Sequence, residues 1–150
     1  MFKVSKILVP VDLSDCSRSA LAHALSLADQ LGASLDALHV AEVPVFKTEP
    51  RVAKESGTVS LRDYALEAAA SDLDAFLSQL EPAQRRRVSA LIDAGKPREC
   101  ILERAQRDHY DLIVMGTHGR TGRAHAFAGS VAESVVRSAS CPVLTVRGGQ

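Results

Sequence analysis

The sequence predicts an α/β fold: an open parallel sheet with helices on both faces, a Rossmann-like three-layer sandwich. Three observations carry this expectation. Short apolar runs alternate with segments of helical spacing, five strands to four helices, a pattern whose right-handed crossovers keep the strands parallel. The runs Ile7-Leu8-Val9 and Leu112-Ile113-Val114-Met115 are continuously apolar, as strands covered on both faces are. After the second of them the chain enters a loop with glycines at 116, 119, 122 and 129 and then a helix start. Strand, glycine loop and helix N-terminus is the order in which backbone amides gather around an anion.

Taken in order, Lys6–Val9 is the first strand, ended by Pro10-Val11-Asp12. Ser14 is placed to cap a helix whose apolar positions Leu21, Ala24, Leu25, Ala28 and Leu31 keep helical spacing, with Gly32 as its stop. Ser34–Val40 is the second strand. Residues 41–58 hold two prolines and a glycine without any period and read as one long loop. A helix runs from Ser60 to about Leu80 and closes near Pro82. Val88–Ile92 is the third strand. Pro97 suits the first turn of a helix carrying Ile101, Leu102 and Ala105. The fourth strand and its glycine loop follow. Ser130-Val131-Ala132-Glu133 has the spacing of a capping box, and Pro142–Val146 is the last strand. His39 reads as a strand residue facing a helix, Cys141 as a small core hydrophobe, and the segment from Arg147 to Gln150 as a frayed tail.

Composition narrows the function classes. The 150 residues suit one domain, residues 1–150, and contain no repeat or linker. Eighteen basic residues balance eighteen acidic ones, so no bulk field draws in nucleic acid or an anionic membrane. Arg85-Arg86-Arg87, the one compact basic run, reads as the solvated end of a helix or loop. No apolar run is long enough to span a bilayer, and the first residues lack a signal-peptide core. Three cysteines with no CxxC spacing point to reduced thiols and a cytoplasmic protein.

The turn after the first strand, Val9 to Ser17, contains no glycine, which excludes the dinucleotide GxGxxG. The later loop has no lysine where a Walker A motif needs one. What remains is Gly116-x2-Gly119-x9-Gly129-Ser130. With the Ile7–Asp12 opening, Leu38-His39-Val40, Gly95-x-Pro97, Asp111–Gly116 and Cys141–Leu144, this loop resembles the universal stress protein family, specifically its ATP-binding branch with the signature G-x2-G-x9-G-[ST]. The resemblance covers nearly the whole chain.

That resemblance implies strand order 3-2-1-4-5 and a ligand crevice at the carboxyl ends of the first and fourth strands, where Asp12 and Gly116 stand. The ligand implied is ATP (ADP or AMP in its place), with Mg2+ or Mn2+ bridging the phosphates and water supplying most of the metal's ligands. Gly116, Gly119 and Gly129 let the backbone approach phosphate oxygens and take up positive φ. Ser130 either gives its hydroxyl to a phosphate or caps its own helix, with Val131 beside it. Asp12 belongs at the nucleoside end, since a carboxylate accepts from hydroxyls and repels phosphate; its alternative is a helix cap. Val40 offers backbone groups to the adenine edge, and Pro10, Val11 and Met115 form the base and ribose wall. Val11 stands where many relatives carry a small hydroxyl residue. Arg120 is the nearest fixed cation to the phosphates, or else a solvated loop arginine. Residues 123–127 depart from the family's leucine-rich segment. His118 and His125 lack a third ligand at metal spacing.

The family pairs its last strand across a two-fold axis, which implies a homodimer through Val143–Val146. Three functions follow. The first is a nucleotide-dependent regulatory module in stress response. The second is a slow ATPase or phosphotransferase, for which His118 is the best available base and no dedicated carboxylate pair is evident. The third is a dimeric interaction protein that does not use nucleotide, which retention of the glycines and Ser130 disfavours.

Overall fold

The structure, a computed structural model, describes residues 1–118 and 129–148. Five parallel strands form the main sheet: β1 (Lys6–Pro10), β2 (Ser34–Ala41), β5 (Val88–Ala94), β6 (Leu112–Gly116) and β7 (Val143–Val146). Their order is β5-β2-β1-β6-β7, which is 3-2-1-4-5 counted within this sheet alone. The register sets Ile7 against Leu35 on one side and Leu112 on the other. From β1 the chain builds outward through β2 to β5, then returns to lay β6 on the opposite flank of β1. The switch point therefore falls between β1 and β6.

Burial on both faces explains the continuous apolar runs. Ile7, Val9, Val11, Leu35, Ala37 and Val114 pack under α1 (Asp15–Leu31) and α2 (Leu61–Leu77), against Leu21, Leu25, Leu73 and Phe76. Leu8, Leu38, Ile113 and Met115 face the other way, against Ile101 and Ala105 of α4 (Pro97–Arg107) and Ala132 and Val135 of α5 (Ser130–Ser138). Successive strand residues thus serve opposite layers.

Local signals set the helix ends. Ser14 Oγ accepts from the Ser17 amide at 3.2 Å, and Gly32 closes α1 at φ 64°. Ser60 Oγ accepts from the Asp63 amide at 3.0 Å. The helix after Ser60 ends at Leu77 rather than Leu80, and a single turn, α3 (Pro82–Arg85), begins at the expected proline. Of the three consecutive arginines, Arg85 is half-buried, donating to the Val88 carbonyl at 3.0 Å, and Arg87 pairs with Asp29.

Residues 41–58 are not a structureless loop. They hold most of an antiparallel hairpin, β3 (Arg51–Lys54) and β4 (Gly57–Ser60), joined by Glu55-Ser56 and turned at Gly57, φ 127°. Each strand has four residues, all exposed or half-buried, too short a stretch to register as a period. The hairpin is tied to α2: the Leu61 amide donates to the Pro50 carbonyl at 2.8 Å, and Lys54 pairs with Glu67.

Candidate functional site

A cavity of about 700 Å³ opens at the carboxyl ends of the strands, beside the switch point. That volume is within the range of small-molecule sites. β1 brings Pro10, Val11 and Asp12; β2 brings His39, Val40 and Ala41; β6 brings Met115 and Gly116, with Thr117 and His118 after it; α5 brings Gly129, Ser130 and Val131. Nine of the sequence-predicted site residues line this one cavity. The other two, Gly119 and Arg120, lie outside the described residues.

The β1–α1 turn is held by Asp12. Its Oδ1 accepts from the Ser14 amide at 3.0 Å and also from the Ser14 hydroxyl. Asp12 therefore closes a local turn, and the cap of α1 is Ser14, not Asp12. Between them Leu13 sits at φ 68°, a left-handed conformation unusual for a branched side chain.

Two expectations about the glycine loop are corrected. Neither Gly116 nor Gly129 has positive φ; Gly129 is extended at φ −60°, ψ 153°. Gly116 is required for another reason: a Cβ there would meet Cys16 Sγ at 2.7 Å and Cys16 backbone atoms at 3.1 Å. It lets β6 pass close beneath the start of α1. The capping box at Ser130 is also absent. Gly129 is the N-cap, Ser130 is the first helical residue, no side-chain cap bond is made, and Glu133 pairs with Arg137 at 2.8 Å instead. The two roles weighed for the Ser130 hydroxyl therefore no longer compete.

Thr117 closes the neck of the loop. Its amide donates to the Val146 carbonyl at 3.0 Å, and its own carbonyl accepts from the Gly129 amide. Its hydroxyl lies 2.8 Å from His118 Nδ1. The Gly129 amide is thus used internally. The first intrahelical bond of α5 runs from Glu133 to Gly129, so the amides of Ser130, Val131 and Ala132 precede the ladder. They bring the positive end of the helix dipole to the cavity.

Several lining residues were not singled out from sequence. On α2, Ala65, Ala68, Ala69 and Asp72 form one wall, and Glu42 stands at its mouth. Their i, i+3, i+4, i+7 spacing was available as a signal, but it reads equally as a core face. His39 does more than face a helix. It is buried, and its Nδ1 lies 2.9 Å from the Val11 carbonyl, across the β1–β2 pair. A carbonyl only accepts, so Nδ1 carries the proton. The α4 wall, with Pro97 and Ile101, is braced by Arg104, which grips both oxygens of Asp93 at 2.7 and 3.2 Å. This pairing raises the Arg104 pKa, its hydrogen bond to Asp93 contributing most. Behind that wall burial, reinforced by Asp93, pushes the Cys100 thiol up, which keeps it protonated. Among the described residues no His, Cys, Asp and Glu side chains are grouped as a ready metal site, and no helix is long and apolar enough to cross a membrane.

A doubly wound parallel sheet with helices on both faces and a cavity at its switch point defines the class of fold: a Rossmann-like α/β sandwich. The model of the Universal stress protein family matches residues 3–147, and the chain belongs to that family. A universal stress protein of Thermus aquaticus is 36% identical over 98% of this chain and 100% of its own. The universal stress protein UspA from Lactobacillus plantarum superposes with TM-score 0.77 at 27% identity, covering 97% of this chain and 99% of that one. A universal stress protein in complex with cAMP superposes with TM-score 0.67 at 22% identity, covering 97% and 98%, a likeness of fold.

Proposed function

We propose that the chain, acting as one domain, binds ATP in this cavity and serves as a nucleotide-dependent regulatory module in stress response. The single observation that carries this reading is the cavity itself, which has acceptor side chains at one end and the first turn of α5 at the other. Triphosphate would lie against the Ser130–Ala132 amides, and the nucleoside would lie between Pro10, Val11, Val40 and Met115, with Asp12 accepting from ribose hydroxyls. A Mg2+ or Mn2+ ion would ride on the phosphates with water completing its shell, since the described side chains offer no grouped ligand set. A relative of the same fold bound to cAMP supports an adenine nucleotide as the ligand class.

We further propose a cytoplasmic homodimer through β7. Among the described residues β7 pairs only with β6, at the end of the sheet, and the apolar Leu144 on it is 40% exposed. Slow hydrolysis is the second reading, because His118 lines the same cavity as Ser130.

The test is to look for co-purifying adenine nucleotide and then measure thermal stability with ATP, ADP and AMP. ATP at a hundred times its Kd stabilises the fold by ~2.7 kcal/mol. No shift with any of the three would return the chain to the class of nucleotide-free interaction proteins. Phosphate release that disappears in His118→Ala would establish the second reading.

A further inference from the structure

His39 is only 7% exposed, yet it lines the cavity. With Nδ1 donating to the Val11 carbonyl, Nε2 is the ring nitrogen left to accept a hydrogen bond. Among the described residues nothing bonds Nε2, while every fully buried side-chain nitrogen or oxygen there does have a partner. Nε2 is therefore not sealed in the core, and the accessible part of the ring opens on the cavity.

The rest of the lining has the same polarity. On the β1, β2 and α2 side the acidic groups are Asp12, Glu42 and Asp72, all acceptors; donors come from the start of α5. A complementary ligand carries its anion toward α5 and its N–H and O–H groups toward β2.

We propose that His39 Nε2 is a specificity-determining acceptor, taking a hydrogen bond from an O–H or N–H on the nucleoside half of the ligand. This rests on the nucleotide reading above. The donor is a ribose hydroxyl or the exocyclic amine of the base, and the two sources are separable with analogues. His39→Asn keeps a donor at the level of Nδ1 for the Val11 carbonyl and deletes the group at Nε2.

Calorimetric titration of wild type and His39→Asn with ATP, 2′-deoxyATP, 3′-deoxyATP and ITP is the experiment. One hydrogen bond corresponds to a loss of about three- to tenfold in ATP affinity. The loss is expected to vanish for the one analogue that lacks the donor. An equal loss across all four ligands, or no loss with any, overturns the assignment. Nitrogen-15 NMR of the wild-type histidines keeps the test independent of the variant's folding. The free protein is expected to show Nδ1 protonated and Nε2 bare, with the Nε2 resonance shifting upfield on ATP addition. An Nε2 resonance that ATP leaves unmoved overturns the proposal while nucleotide binding stands; absence of binding by any of the four removes both.

Discussion

The two ends of the central sheet are treated differently. At the amino end, side chains knit the strands shut. The Asp111 carboxylate accepts from the Ser5 and Lys6 amides at 2.9 and 3.0 Å, Lys6 Nζ donates to the Asp108 carbonyl at 3.0 Å, and the buried Tyr110 hydroxyl donates to Asp36 at 2.5 Å. Lys6 also lies 4.4 Å over the Tyr110 ring. At the carboxyl end Asp12 bonds Ser14 and Thr117 bonds Gly129 in local turns, and a cavity stays open beside them. One end consolidates the fold and the other is held in shape around space, and that space lies where open α/β sheets accept ligands.

The largest test of that contrast is Gly116→Val. The side chain collides with Cys16 backbone as well as its sulfur, and backbone cannot swing away. Stability is expected to fall by about 2–3 kcal/mol in urea unfolding, and the proposed ATP binding with it, because α1 and β6 both wall the cavity. If Gly116 served only phosphate approach, binding would fail with stability intact.

At the opposite end, Tyr110→Phe leaves Asp36 without its donor and costs about 1–2 kcal/mol, with ATP affinity unchanged. This variant also alters the alkaline limb. Burial, and then Asp36, hold the Tyr110 phenol protonated above its ordinary range. The unfolded chain loses that proton first. The contribution is therefore complete below about pH 10 and is lost as pH rises beyond it. Urea midpoints measured against pH fall less steeply above about pH 10 in Tyr110→Phe than in wild type.

The smallest effect belongs to the turn at the mouth of the cavity. Leu13 packs partly against the core, so Leu13→Gly and Leu13→Ala both lose contact, but only glycine accepts φ 68° without strain. Leu13→Gly is expected to be more stable than Leu13→Ala by about 1 kcal/mol, and equal stabilities would show that the turn carries no strain.

Much of this molecule was written in local patterns. Alternating apolar runs and helical spacings determined the layered α/β fold, and Ser14, Ser60, Gly32 and Pro97 set helix boundaries because caps and stops act over three or four residues. The Gly116–Ser130 spacing and Asp12 pointed to one crevice, and their described members do line it. Tertiary structure alone decided what depends on approach between distant segments. Gly116 is set by Cys16, a hundred residues earlier; the Gly129 amide is used by Thr117; His39 is turned to Val11 across a strand pair; and α2 closes the wall with Ala68 and Asp72. Spacing along the chain encodes the period of an element. It does not encode which atoms of two elements meet, because that is settled only when the layers pack.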